Sequence, residues 1–387
     1  MKNDEIVFLE KDDFRLAFKT FYDNCTEEEI EPIDLHFGSV DDYNLSNKEL
    51  ICKFGKDNYY SMYKYRFPND IPITLEMHLY VVCEKDKMIY FPEDSSRFFS
   101  NLPLKSIEFK NTGQNNIRNM RHMFSNLMDI KEINISSFSS PLVEDMSYMF
   151  YNCKELKSVE MSCVDANSVK DMSYMFYNCI NLLNLDFKRV HTTSSIVNIE
   201  GMFANCYRLK ELDLRFLNTT NVTNMSSILA NCFKLEHVDL NSFDTSNVTD
   251  MSCMFSFCVS LKELNLRKFD TTKVKYMNNM FCGCHSLKHL DLSDFNTTNV
   301  RNMARMFELC STLSSLDISS FDVTNVKDVS YMFAKCFCLE KVFVKEDFDI
   351  EGIEKADDVF CLCVCLDENN DDVLNLYSSF RYIKKIH

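Results

Sequence analysis

Val248-Thr-Asp-Met-Ser-Cys-Met-Phe255-Ser-Phe-Cys258-Val-Ser-Leu261-Lys-Glu-Leu264-Asn-Leu266-Arg-Lys-Phe269-Asp-Thr-Thr decides the reading of this chain. Val248, Met251, Phe255 and Cys258 fall three and four residues apart, with Met254 beside them, which is the spacing of one helical face. Leu264 and Leu266 then alternate with Glu263 and Asn265, which is the period of a strand. Phe269 opens a turn rich in Asp, Thr, Ser and Asn, residue types that bond their own backbone and cap a following helix. Thr245 to Asn247 stand in the same place before Val248. The unit therefore reads as short strand, turn, short helix.

The pattern recurs. Taking the Phe of each Met-Phe pair as the phase marker gives Phe124, Phe150, Phe176, Phe203, Phe255, Phe281, Phe307 and Phe333, with Leu229 in the remaining slot. Most steps are 26 residues, with one of 27 between Phe176 and Phe203. Weaker copies at Phe98 and Phe360 bring the array to eleven. No single unit can bury its apolar face alone, whereas stacked units bury a shared one. The expected fold is an α/β solenoid, a leucine-rich-repeat-like arc of about eleven 26-residue strand-turn-helix coils with a parallel sheet on its inner face. With strands stacking at roughly 4.8 Å, eleven coils would span on the order of 50 Å. Only six glycines occur in the chain, so Asn and Asp must supply the tight turns.

Segments such as Phe243-Asp-Thr-Ser-Asn-Val-Thr-Asp-Met-Ser-Cys-Met-Phe255 and Phe269-Asp-Thr-Thr-Lys-Val-Lys-Tyr-Met-Asn-Asn-Met-Phe281 resemble the 26-residue repeat of BspA-like leucine-rich-repeat surface proteins. The resemblance covers roughly residues 98 to 366. It implies a non-catalytic binding or adhesion module of the kind found on microbial cell surfaces.

Three regions are expected. Residues 1–90 carry no repeat. Phe14, Ala17, Phe18 and Phe21 fall on one helical face there, with Asp12 or Asp13 as cap, and Ile73 to Val82 is strand-like. This segment reads as an N-terminal α+β cap over the first coil, or else as a docking domain. Residues 91–366 form the array. Residues 367–387 hold an acidic loop, Asp367 to Asp372, and an amphipathic stretch, Val373 to Ile386, that reads as a C-terminal cap.

Charge narrows the function. The chain has 42 basic and 58 acidic residues, a net charge of −16, which speaks against nucleic acid because phosphate binding needs a basic face. No run of apolar residues is long enough to span a bilayer, so no membrane insertion is expected. Met1-Lys2-Asn3-Asp4-Glu5 leads into no long apolar stretch, so no export signal is expected and the sequence as it stands reads as cytoplasmic. The cell surface is the alternative that the resemblance implies.

Nine of the eighteen cysteines share one phase, three residues after the Phe slot: Cys153, Cys179, Cys206, Cys232, Cys258, Cys284, Cys310, Cys336 and Cys363. A buried column of thiols is the expectation, because a regular ladder gives no reason for selective disulfide pairing. Cys282-Gly-Cys284, Cys336-Phe-Cys338 and Cys361-Leu-Cys363-Val-Cys365 lack the paired spacing of a zinc knuckle, so no metal is expected. His237 and His289 share a phase but lie two coils apart, and His285 and His289 straddle a helix end and a strand. No catalytic set and no phosphate-binding loop can be assembled, so neither an enzyme nor a cofactor is expected. Asn218, Asn221, Asn224, Asn247 and Asn296 begin Asn-x-Ser/Thr triplets, but at turn positions where Asn has structural work.

The remaining candidate is a column on the strand between the inward leucines: Glu108, Asn134, Glu160, Asp186, Asp213, Asp239, Asn265, Asp291 and Asp317. Seven of these nine are acidic, and Lys110, Lys188, Arg215 and Arg267 follow two residues on in part of the row. Either Asp and Asn are soluble filler of the strand motif, or the row is a strip that binds a protein partner with a basic surface. Like charges about 5 Å apart repel, which calls for an offsetting partner or neighbour. Two further readings stay open: an adhesin exported by an unconventional route, and an N-terminal enzyme or effector domain fused to a targeting array.

Overall fold

The computed structural model describes residues 8–23, 32–46, 48–55, 59–65, 77–85, 87–110, 112–113, 116–136, 141–161, 166–187, 192, 195–345 and 352–366. The expected C-terminal cap, Lys188 and residues 73–76 of the strand-like stretch lie outside the described residues. The chain forms two compact units, one of residues 1–169 and 179–192, the other of residues 170–178 and 193–387.

In the first unit, helix α1 (Lys11–Asp23) buries Phe14, Ala17, Phe18 and Phe21, the face that the spacing marks out. Phe14 packs against Phe37, Phe98 and Phe99, and the Arg15 guanidinium donates to the backbone oxygens of Arg97, Phe98 and Ser100. A five-stranded sheet follows, built from β1 (Ile33–Ser39), β2 (Lys48–Phe54), β3 (Tyr60–Tyr65), β4 (Met77–Cys83) and β5 (Leu104–Phe109). Its order is β2-β3-β4-β1-β5, with β1 parallel to β4 and β5, and β3 antiparallel to its two neighbours. Strand β5 belongs to the first repeat, so the N-terminal segment and the array share one sheet. Next come β6 (Glu132–Asn134), β7 (Ser158–Glu160) and β8 (Asn184–Asp186), parallel and in register, with Ile133 opposite Val159 and Val159 opposite Leu185.

The second unit repeats the same coil with equally short or shorter strands: β9 (Glu211–Leu212) pairs with β10 (His237–Val238), and β11 (Ser315–Asp317) with β12 (Lys341–Phe343). Single bridges link Asn198, Asn224, Asp250, Tyr276, Asn302, Asp328 and Lys355 in succession, one residue per coil.

The expected strand-turn-helix coil is overturned. Helix α1 is the single α-helix among the described residues, and the repeats contain none. Nor do the repeat strands join into one continuous sheet; they form short separate ones. The physical reason lies in where the backbone N–H groups point. In the stretch read as helical, Met251, Cys253, Phe255 and Phe257 donate to the next coil, at Tyr276 O (3.0 Å), Asn278 O (2.9 Å), Met280 O (2.9 Å) and Cys282 O (2.6 Å). The alternate groups of Met254, Ser256 and Cys258 donate three residues back, to Met251 O, Cys253 O and Phe255 O. Such a string of tight turns requires left-handed backbone at two residues four apart, Cys253 (φ 56°) and Phe257 (φ 55°). An α-helix allows neither. The same pair recurs in every described copy, from Arg97 and Asn101 to Asp358 and Leu362. Each such residue costs about 1–2 kcal/mol in a non-glycine, and the backbone bonds from coil to coil offset it.

The buried side still follows the expected phase. Phe255, Phe281, Phe307 and Phe333 are fully buried and stack with ring planes 7° apart and centroids 5.5–5.8 Å apart. Leu229 fills its slot at 0% exposure. The first copy is shifted by one residue from the sequence reading. Phe99, not Phe98, stacks on Phe124 at 5.3 Å and donates its N–H to Met123 O, and the left-handed residues Arg97 and Asn101 flank Phe99 symmetrically.

Candidate functional site

The acidic column is laid out by its own turn chemistry. Asp213, Asp239, Asn265, Asp291 and Asp317 are all exposed, and each accepts through Oδ1 the N–H of the residue two positions on. The distances are 3.0 Å to Arg215, 3.0 Å to Asn241, 3.2 Å to Arg267, 3.1 Å to Ser293 and 2.9 Å to Ser319. Asn134 does the same for Ser136 at 2.9 Å. These are Asx turns, in which a short side chain stands in for a backbone carbonyl at a corner. Hydrogen bonds from the Ser293 hydroxyl and backbone, then from Arg267, hold the Asp291 carboxyl below the ordinary carboxylate range. Two of the second carboxylate oxygens meet arginine: Arg215 Nη2 lies 2.6 Å from Asp213 Oδ2, and Arg267 Nε lies 3.1 Å from Asp291 Oδ2 in the next coil. Glu160 is half-buried on β7, and Asp186 ends β8. Glu108 on β5 is drawn into a different cluster, described below.

Two further corners use the same device. Asp145, Asp171, Asn198, Asn224, Asp250, Asn302 and Asp328 hold one corner, and Asn218, Asp244, Asp270, Asn296 and Asp322 hold the other. Asx turns are thus the general corner of the coil. Three of the Asn-x-Ser/Thr asparagines, Asn218, Asn224 and Asn296, are occupied this way, while Asn247 Nδ2 donates to Thr220 O at 2.8 Å. In four successive coils a buried threonine, Thr219, Thr245, Thr271 or Thr297, closes the corner: Thr271 Oγ1 donates to Asn296 O and accepts from Asn296 N–H, both at 2.8 Å.

Eight of the nine column cysteines are buried and Cys363 is half-buried, and each thiol donates to a backbone carbonyl of the previous coil. Cys153 donates to Phe124 O (3.0 Å), Cys179 to Phe150 O (3.1 Å), Cys206 to Phe176 O (3.3 Å) and Cys232 to Phe203 O (3.3 Å). Cys258 reaches Leu229 O (3.2 Å), Cys284 Phe255 O (3.2 Å), Cys310 Phe281 O (3.2 Å), Cys336 Phe307 O (3.0 Å) and Cys363 Phe333 O (2.9 Å). A small side chain with a donor is what this slot takes, because the carbonyl of the previous coil offers a second lone pair. Burial pushes the Cys153 and Cys232 thiols up to about 12. In this arrangement the ladder is held as thiols. Cys338, Cys361 and Cys365 are exposed.

The histidines of the repeats do not converge. His237 Nδ1 lies 3.4 Å from Glu263 Oε1, His285 Nδ1 lies 3.1 Å from Ser311 Oγ, and among the described residues no group of three His, Cys, Asp or Glu is placed to hold a metal ion. On the first unit's sheet two others do come together. Asp34 and His36 of β1, His78 and Tyr80 of β4, and Ser106 and Glu108 of β5 share the face turned away from α1. His36 Nδ1 lies 2.9 Å from Glu108 Oε2, His36 Nε2 lies 3.2 Å from His78 Nδ1, and His78 Nδ1 lies 3.7 Å from Asp34 Oδ2. Tyr80 stacks on His36 at 4.7 Å, Tyr43 OH reaches Glu108 Oε2 at 3.4 Å, and Lys110 Nζ lies 3.1 Å from Glu108 Oε1. Burial works to raise the Glu108 carboxyl, but His36 and Lys110 outweigh it and leave it below the ordinary range. Burial lowers the His36 imidazole by more than Glu108 raises it.

A family model described as "Mycoplasma protein of unknown function, DUF285" matches residues 93–211, 183–265 and 258–372. The chain belongs to this family. The matched residues together span the array from its first copy to its last, so the family is defined by the repeat rather than by the N-terminal sheet. No curated protein matches the chain. Among solved structures, "The Crystal structure of Pneumococcal vaccine antigen PcpA" is similar at 12% identity with a TM-score of 0.31, over 87% of this chain and 78% of that one. Among the described residues no helix is long and apolar enough to cross a membrane.

The His36–His78 pair is not among the histidines that the repeat phase singles out. The signal was present: Asp34-Leu-His36 and His78-Leu-Tyr80 alternate polar and apolar at strand period, which puts each pair on one face. What sequence order does not contain is that β1 and β4, some forty residues apart, lie side by side.

Proposed function

We propose that this chain is a non-catalytic binding protein, and that the exposed row Asp213, Asp239, Asn265, Asp291 and Asp317 receives a protein partner through a basic surface on that partner. One observation supports the reading above the rest. The corner needs only an Oδ1 acceptor, which Asn265 and Asn134 supply without charge. At Asp213, Asp239, Asp291 and Asp317 the second oxygen adds exposed negative charge that the turn does not use. Two of the four carry a neighbouring arginine, which limits repulsion along the row and leaves an alternation of charge for a partner to match.

The test is a variant with all four aspartates replaced by asparagine, a change that keeps every turn. Binding of an oligolysine peptide to the full chain is measured by calorimetry at low and high salt. The control neutralises Asp244, Asp250, Asp270 and Asp322 at other corners, an identical change in net charge. The row is the binding surface if its variant loses markedly more affinity than the control. Equal losses would show only the general pull of an acidic protein and would sink the proposal.

A further inference from the structure

We infer that the paired imidazoles of His36 and His78 form an acid-sensitive latch that holds β1 against β4 at neutral pH and releases the seam when both rings are protonated. The argument starts from which atoms can donate. A carboxylate only accepts, so the 2.9 Å contact with Glu108 places a proton on His36 Nδ1. A neutral His36 then has a lone pair on Nε2, and the 3.2 Å contact is made by His78 Nδ1–H donating to it. The ring centroids are 5.5 Å apart with planes 28° apart, so the two rings lie nearly end to end, as a direct N–H to N bond requires.

One added proton is accommodated. His36 becomes an imidazolium between Glu108 and His78, and His78 moves its own proton to Nε2 and accepts instead. A second proton is not. It sets two N–H donors facing each other across 3.2 Å, with no acceptor between them, and the rings must part. The rings stand on adjoining strands at neighbouring register positions, Asp34 opposite His78 and His36 opposite Tyr80, so parting them strains the β1–β4 pairing.

The surroundings set the sign. Facing the pair are Asp34 on β1, Tyr80 on β4 with Lys48 of β2 over its ring at 4.4 Å, and Glu108 on β5 with Lys110 beyond it. Tyr43 lies over His36 from the β1–β2 connection, whose Asp42 bonds Ser39, and Tyr63 of β3 stands opposite Tyr80. Burial is the largest influence on His36 and opposes its charged form, as does the neighbouring His78, whereas Glu108 and Asp34 favour it; burial prevails. A base held below its ordinary value in the folded state is protonated first in the opened state. The stabilisation is therefore present above about pH 6.5 and is lost as pH falls below it. The repeats contain no comparable pair among the described residues, so the effect is confined to the N-terminal sheet.

Hydrogen exchange on the full chain, read by mass spectrometry at about pH 7.5 and about pH 5.5 to bracket the imidazole range and corrected for intrinsic rates, tests the latch. Peptides covering residues 33–39 and 77–83 should lose about tenfold of their protection at the lower pH, while those covering residues 251–258 keep theirs. In the His78→Gln variant a neutral amide offers His36 either an N–H or a C=O, so the clash of two donors is gone and the loss of protection should shrink to the part that the burial of His36 alone contributes. Three results would overturn the inference: no loss in the unaltered chain, the same loss in His78→Gln, or added zinc at neutral pH protecting these peptides, which would make the pair a metal site.

Discussion

Replacing Gly283 by alanine should lower the stability of the repeat region by about 2–3 kcal/mol, although the same change inside a helix would raise it by roughly 1 kcal/mol. Gly283 has φ 72°, two positions after Phe281, and its N–H donates to Glu308 O at 2.7 Å in the next coil. A β-carbon costs about 1–2 kcal/mol in left-handed backbone. It would also stand 2.6 Å from Phe257 Cδ1 and 2.9 Å from Cε1, closer than packed atoms allow. Overpacking of this kind costs about 1–3 kcal/mol, and the lower end applies because the far side of a ring can give way. Urea unfolding of the full chain followed by circular dichroism supplies the measurement. The two contributions separate in a double-mutant cycle. On a Phe257→Ala background the ring is gone, so Gly283→Ala should cost only the backbone part, about 1–2 kcal/mol. If Gly283→Ala moves the transition to higher urea, the string of left-handed turns is wrong and the stretch is helical after all.

Two further outcomes follow from the coil. In protein purified without reductant, a thiol reagent should label Cys338, Cys361 and Cys365 in the native state and reach the fully buried Cys153, Cys232 and Cys258 only after denaturation, since the thiolate is the reactive form; several disulfides in place of thiols would overturn the ladder and point to an oxidising compartment. Thr271→Val keeps the shape of a side chain that is 1% exposed but leaves both the N–H and the C=O of Asn296 without their partner; the expected cost is about 1–3 kcal/mol in the same urea assay, and a neutral result would show that solvent replaces the hydroxyl.

What the sequence made legible was whatever recurs. The phase of Phe124 through Phe360, the column of cysteines and the need for Asn and Asp at corners all follow from period and residue type; the phenylalanines and eight of the nine cysteines are buried. The helix did not follow, and the reason is specific. Burial of Val248, Met251, Phe255 and Cys258 at steps of three and four is equally well produced by turns whose i+3 bonds bring the same residues to one side. Periodicity reports which side is buried; it does not report the hand of the backbone between the buried residues. The hand was written elsewhere, in Asn126, Asn152, Asn178, Asn205 and Asn231, which repeat one residue before the thiol column or its equivalent, and in Gly283 at the same position further along. Asparagine and glycine are the residues that enter left-handed backbone at least cost, so their recurrence inside an apolar run marks a turn. The stacking even uses the asparagine side chains: Asn152 Nδ2 donates to Asn126 Oδ1 at 2.8 Å, and Asn231 Nδ2 to Asn205 Oδ1 at 2.8 Å. Where Phe257, Leu309 and Lys335 stand in the same slot the signal vanishes from the sequence, yet the backbone keeps its sign, because the bonds to the neighbouring coils impose it. The neighbours, not the residue, decide the conformation there. That dependence is why a copy read alone looks helical, and why the conformation becomes evident only when copies are compared position by position.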